Sequence, residues 1–280
     1  MDLTISNPRI LETCVPYIVV CPWTIHHLDT MPFGVKVERE NLIDPTKLST
    51  RTFARLLQQL DRLTFGPEGM PMPRWVFYNC AEVPGAIMGF GRPASQLTDT
   101  QRAALEVPDE YDGLVPFSMF IAIPMLPSGD WMAHNLCSMN AVFPELELNG
   151  LATVTKAFGL AVYRARILYG ATQWHSRALH IHTKFGNLDL VTAYTPAHSE
   201  HMTLTYRVEV SLNGLLNACG DPSASIERPE PEFWLDAADE AHAIQMQDQI
   251  EAGTRYQIVG PPQMSGDSVR LPLVTKAKPT

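Results

Sequence analysis

The residue pattern predicts an α+β fold, with a mixed, mostly antiparallel twisted sheet flanked by helices. Three observations predict it. Phe53, Leu56, Leu57, Leu60 and Leu63 fall at i, i+3, i+4, i+7 and i+10, one apolar helical face. Met202, Leu204, Tyr206, Val208 and Val210 alternate with polar partners, the period of a half-buried strand. Between them the order reads strand, helix, hairpin, strand, helix, strand, short helix, strand.

The elements follow in order. Residues 1–33 are punctuated by proline and read as an N-terminal arm. Gly34 to Leu42 alternates and reads as a strand. The first helix starts near Ser49, with Asp44-Pro45 or Ser49 as its start signal. Gly66 to Pro73 is a loop rich in Pro, Gly and Met. Trp75 to Glu82 reads as a buried strand, Val83-Pro84-Gly85 as a turn and Ala86 to Gly91 as its hairpin partner. Thr98 to Glu106 reads as a short helix. Phe117 to Ile123 and Trp131 to Val142 read as strands joined by Pro127-Ser128-Gly129-Asp130. The second helix spans Ala152 to Ile167, where Phe158, Ala161, Val162 and Ala165 recur at helical spacing. Leu168 to Gln173 is a strand, and Ser176 caps a short helix. Leu188 to Tyr194 and Met202 to Val210 close the pattern. The principal domain is thus 34–210, followed by an acid-, Ala- and Pro-rich C-terminal extension at 211–280. Phe233 to Glu251 reads there as a helix with Asp236, Asp239, Glu240 and Asp248 facing solvent.

Composition narrows the function. The 280 residues are 45% hydrophobic and 18% charged, enough to bury a sizeable core. The net charge of −9 argues against a nucleic-acid partner, which needs a basic face, and against anionic membranes. The five cysteines include no CxxC pair and read as reduced thiols of a cytoplasmic protein. The apolar run Cys14 to Trp23 is too short to span a bilayer. No Gly-x-Ser-x-Gly, Walker A, HExxH or Rossmann fingerprint occurs.

Three segments carry the chemistry. Val142-Phe143-Pro144-Glu145-Leu146-Glu147-Leu148-Asn149-Gly150-Leu151-Ala152 leads into a helix, whose free N–H groups and positive end suit a phosphate. Ala178-Leu179-His180-Ile181-His182-Thr183-Lys184-Phe185-Gly186 sets an imidazole beside a cation. Ala81-Glu82-Val83-Pro84-Gly85-Ala86-Ile87-Met88-Gly89-Phe90 reads as a hairpin. In this order they resemble the GNAT (N-acetyltransferase) superfamily, over about residues 34–210. The first resembles its Val-x-Pro-Glu-Tyr strand end and Arg-Gly-x-Gly-Ile-Gly pyrophosphate loop. The second resembles its Ala-x-x-x-Tyr-x-Lys-x-Gly segment, with His182 in the tyrosine position. The third resembles its Ala-Glu-x-x-Gly-x-Ile-x-Gly hairpin. Glu147 stands where the family has Arg or Gln, and Leu148 where it has Gly. A carboxylate there repels a pyrophosphate.

The resemblance implies an acyltransferase that moves an acyl group from acyl-CoA, or from an acyl-carrier phosphopantetheine thioester, to an amine or other small nucleophile. It implies a strand ending at Val142 that holds the thioester, and a cradle at Asn149, Gly150, Leu151, Ala152, Thr153 and Val154. Thr153 and Thr155 offer hydroxyl donors and Lys156 a charge. His182 is the acid for the leaving thiolate and His134 a base, each set against a structural role. His175 before the short helix is a further position near the thioester. His180 and His182 are two apart on a helix, so their faces diverge and no metal is expected. Two alternatives stay open: a GNAT-like decarboxylase or S-acyltransferase of an assembly line working with an acyl carrier protein, and a non-catalytic thioester-binding protein. A homodimer through the alternating final strand is also open.

Overall fold

Val15–Val19 is an apolar run whose Tyr17 and Ile18 are fully buried. In a computed structural model it forms β1, which pairs antiparallel with β3 (Ala86–Pro93) and parallel with the short β2 (Leu42–Ile43). The structure describes residues 3–67, 69–82, 85–195, 202–266 and 268–276. The segment read as an arm therefore supplies a core strand, because its apolar residues are buried. The strand expected over Gly34 to Leu42 is reduced to β2, preceded by single 3₁₀ turns at Pro32–Gly34 and Arg39–Asn41.

The chain divides into two units. The first comprises 1–129, 133–165 and 219–221. Its β3 pairs antiparallel with β4 (Leu114–Pro124), whose residues from Val115 to Ala122 are all buried. Gly89 on β3 has no room for a side chain. A Cβ there would lie 2.3 Å from the Tyr17 hydroxyl, which donates to the Ser118 carbonyl at 2.7 Å. The helices of this unit are α1 (Arg9–Thr13), α2 (Arg51–Phe65), α3 (Arg74–Phe77), α4 (Asp99–Ala104), α5 (Met139–Val142) and α6 (Leu151–Val162). Phe53, Leu56, Leu57 and Leu60 form the buried face of α2, as their spacing predicts. Thr98 and Gln101 make a capping box at α4. Thr155 on α6 and Tyr163 just after it reach the sheet. Thr155 Oγ1 lies 2.6 Å from Ser118 Oγ, and the Tyr163 hydroxyl donates to the Phe120 carbonyl at 2.9 Å.

Three strand readings change in this unit. Trp75 to Glu82 is helical, α3 and then a wide turn over Tyr78–Glu82, with Trp75 and Tyr78 exposed and Phe77 buried. Its expected hairpin is replaced by the β3–β4 and β3–β1 pairings, and Val83 and Pro84 lie outside the described residues. The strand expected to reach Val142 is β5 (Asp130–Ser138) and stops early. Met139–Val142 closes a helical turn in which Phe143 N–H donates to the Met139 carbonyl. Pro144 follows and holds Phe143 outside the helical region, so the turn cannot lengthen. The second helix ends at Val162 rather than Ile167, because Arg164 takes a left-handed conformation.

The second unit comprises 130–132, 166–218 and 222–280. Within it Asp130–Met132 of β5 pairs parallel with β6 (Ile167–Gln173), and β6 pairs antiparallel with β8 (Thr203–Glu209). The short α7 (Ala178–His182) precedes β7 (Leu188–Thr192), which pairs with β8 and β10 (Arg255–Ile258). The stretch 211–280 is built into this sheet after α8 (Leu212–Cys219). It supplies β9 (Phe233–Asp236), α9 (Glu240–Glu251), β10, β11 (Gln263–Ser265) and β12 (Ser268–Lys276). β12 pairs antiparallel with β9, β10 and β11. The expected helix over Phe233 to Glu251 thus splits, and Asp239 caps its second half by accepting from His242 N–H. In each unit the strands pair mostly antiparallel and carry helices, so the architecture is the α+β class the sequence predicts. All five cysteines are free thiols. Among the described residues no helix is long and apolar enough to cross a membrane.

Candidate functional site

In the loop before α6, side chains alternate between core and solvent. Leu146, Leu148 and Leu151 are buried, while Glu147, Asn149 and Gly150 are exposed. The turn that allows this places two residues in the left-handed region, Glu147 at φ +54° and Gly150 at φ +89°. Leu148, in the place of a family glycine, is thus a core anchor. Its N–H donates to Asn140 Oδ1 at 2.9 Å.

The amides divide accordingly. Four backbone N–H groups, those of Asn149, Gly150, Ala152 and Thr153, have no acceptor among the described residues. They lie at the positive end of the 12-residue α6. Two residues expected in the cradle are already committed. Leu151 N–H donates to the Leu148 carbonyl at 3.0 Å and Val154 N–H to the Gly150 carbonyl at 2.9 Å. The Val154 bond is the first regular bond of the helix, so its amide cannot serve a ligand. Thr155 and Lys156 are also corrected. Thr155 Oγ1 donates to the Leu151 carbonyl at 2.7 Å, and Lys156 is fully buried. Val142 lies in the α5 turn instead of on a strand.

The N-terminal segment braces this loop, which the sequence did not reveal. Asn7 Nδ2 donates to the carbonyls of Glu147 at 2.8 Å and Asn149 at 3.2 Å. Arg9 forms an ion pair with Glu147, so the carboxylate that would repel a phosphate has a counter-charge. Ser6 N–H donates to the Cys219 carbonyl at 2.8 Å, and Ser6 Oγ lies 3.7 Å from where a Gly150 Cβ would stand.

His134 is exposed on β5. Its neighbour Asn135 donates to the buried carboxylate of Asp61 at 2.5 Å, and Met72 N–H donates to the same carboxylate at 2.7 Å. Burial raises the Asp61 pKa, against the lowering effect of those two bonds. Asp61 was missed at the sequence level, although its spacing after Leu57 and Leu60 sets a carboxylate on the apolar face of α2.

In the second unit, His182 ends α7 and is buried, its ring 5.0 Å from that of Tyr206 on β8. Ser176 Oγ accepts from Ala178 N–H, which starts the helix. The next residues are held by the C-terminal stretch. Arg228 donates to the Thr183 carbonyl at 2.8 Å and Asn217 to the Lys184 carbonyl at 2.7 Å. His180 is half-buried, and burial, followed by the nearby Lys184, lowers its pKa. His175 is exposed. No cluster able to hold a metal occurs among the described residues.

Solved GNAT acetyltransferases are among the structural neighbours. Aminoglycoside 6'-acetyltransferase type Ii matches with a TM-score of 0.40 and 11% identity, over 60% of this chain and 96% of that one. The aminoglycoside 6'-N-acetyltransferase from Enterococcus faecium matches at 0.38 and 10%, over 60% and 96%. A GNAT-family structure from Desulfovibrio desulfuricans matches at 0.28 and 12%, over 45% and 69%. Such identities and scores fix neither an acceptor nor a family for the chain. No protein-family model and no curated protein matches it.

Proposed function

We propose that the protein is a GNAT-type acyltransferase that moves an acyl group from acyl-CoA to an amine or other small nucleophile. The observation that carries this reading is the set of four unpaired amides at Asn149, Gly150, Ala152 and Thr153. They fall where the sequence resembles a pyrophosphate loop. Backbone N–H groups at a helix start bind phosphate without needing a basic side chain, which suits an acidic protein.

In this reading the nucleophile's lone pair attacks the thioester carbonyl carbon and the C–S bond breaks. The sulfur leaves as a thiolate, and the nucleophile loses a proton. His182 is the proposed donor to the thiolate and His134 the proposed acceptor of the nucleophile's proton. Holding the donor and polarising its carbonyl provide the rest of the rate gain.

Calorimetry with acetyl-, malonyl- and longer acyl-CoA tests the donor. One saturable site is expected, weakened in Gly150→Ala, where a Cβ in the left-handed region costs about 1 kcal/mol. Binding by none of them overturns acyl-CoA as donor, and transfer from an acyl-carrier thioester then identifies the alternative. Release of CO2 from malonyl-CoA with its C–S bond intact and no amine present identifies a decarboxylase. For His182→Gln, kcat should fall by about 10²- to 10⁴-fold with donor affinity retained. An unchanged rate at every pH removes His182 from the mechanism.

A further inference from the structure

The solvent face of α2 is strongly basic in a protein whose net charge is −9. Arg51, Arg55 and Arg62 repeat at i, i+4 and i+11, opposite the buried leucines of the same helix. With Arg74 at the start of α3 they line a cavity of about 370 Å³, within the first unit. That size lies in the usual small-molecule range of about 300–1,000 Å³. Among the described residues, Glu106 is the one carboxylate in its lining. None of the four arginines makes a side-chain hydrogen bond or ion pair with another described residue.

The opposite wall is fixed. Arg102 donates to the carbonyls of Ala94, Pro108 and Asp109, which pins the chain that follows α4. Gln59, also in the lining, donates through Nε2 to the Ala104 carbonyl at 3.0 Å. Its Oε1 is buried and has no partner. Four cations around one concavity repel each other and focus a positive potential into it. A buried acceptor without a donor carries a desolvation cost. One ligand chemistry relieves both: phosphate groups held by guanidinium forks, with an O–H or N–H nearby for Gln59.

The geometry points to a second ligand site on this protein, a pocket of Arg51, Arg55, Arg62, Arg74 and Gln59 that binds a phosphorylated small molecule carrying at least two phosphates and a hydroxyl or amine donor. It shares no lining residue with the loop at Gly150, so it stands or falls separately from the acyltransferase reading. An arginine fork takes a phosphate in a bidentate fashion, and a bisphosphate engages two such pairs at once.

The test is calorimetry at low salt with two probes, fructose 1,6-bisphosphate and inorganic pyrophosphate. One site per chain is expected for both. Arg55→Gln/Arg62→Gln should weaken both at least tenfold while the protein still melts cooperatively, because neither side chain makes a hydrogen bond or ion pair with another described residue. Arg55→Lys/Arg62→Lys should retain part of the affinity. Gly150→Ala should leave both unchanged, whatever it does to acyl-CoA. Gln59→Leu should weaken the sugar bisphosphate and spare pyrophosphate, which lacks a carbon-borne hydroxyl. Absence of saturable binding for both probes, or binding that survives the double glutamine variant, overturns the site. Equal affinity of both probes for Gln59→Leu and the unaltered protein overturns the hydroxyl or amine requirement.

Discussion

Lys156 shows how far one residue departs from its solution behaviour. It is fully buried on α6, and burial pushes its ammonium down from 10.5 to about 7. An ammonium with a lowered folded pKa binds its proton better in the unfolded chain. Its contribution to stability is therefore fully present above 10.5 and is lost as pH falls from there through about 7. Inside that window the slope is about 1 kcal/mol per pH unit. Lys156→Met should raise Tm at pH 7 and flatten the rise between pH 7 and 10 in a calorimetric series. A parallel profile for both proteins would show that Lys156 is not desolvated. Residue identity alone was legible only in part. The sequence marked His182 by its resemblance to a family tyrosine, but it offered Lys156 as a charge for a phosphate, and only the packing of α6 shows that this side chain is buried. Asp61 was readable in principle from the apolar face of α2, whereas its partners Met72 and Asn135 come from elsewhere in the chain.

At the scale of the element, the loop before α6 is held by the N-terminal segment. The two carbonyls that accept from Asn7 Nδ2, those of Glu147 and Asn149, belong to residues beside the free amides. Asn7→Ala removes both bonds and should free the loop to sample other turns. An increase of several-fold in the acyl-CoA dissociation constant is expected, with a Tm loss of about 1 kcal/mol equivalent, the usual worth of a hydrogen bond. Asn7→Asp cannot donate and should resemble the alanine variant, while Asn7→Gln should recover part of the affinity. Hydrogen exchange at Asn149 and Gly150 reads the same change directly. Arg9 and Glu147 are both exposed, so their pair adds about 0–1 kcal/mol and acts chiefly on the local field. The amphipathic helices, the short helix from Thr98 and the strands β4, β6 and β8 were legible because local spacing decides them. Trp75 to Glu82 was not. Its apolar run suits a strand or a buried turn equally, and contacts with Phe77 inside and Trp75 outside decide for a helix.

At the scale of the whole molecule, the stretch 211–280 completes a sheet. Gln257 and Ile258 of β10 pair with Asp189 and Leu188 of β7, and Leu235, Ile258, Leu271 and Leu273 are buried. Ending the chain after Glu232 should leave β7 with an open edge and strip the core of those side chains. Loss of a cooperative melting transition and a rise in light scattering on purification are expected. A truncated chain that melts cooperatively at an unchanged Tm would mean the stretch is dispensable. By itself the sequence determined the α+β class, the two long amphipathic helices and the turn where Gly150 opens α6. Those depend on periodicity and on one glycine's left-handed backbone, both local properties. Only the tertiary structure decided that Val15–Val19 is a core strand, that Asn7 and Arg9 brace a loop far along the chain, and that four arginines share one cavity. These arise from contacts between segments distant in sequence, which burial and strand pairing select and which local pattern does not encode.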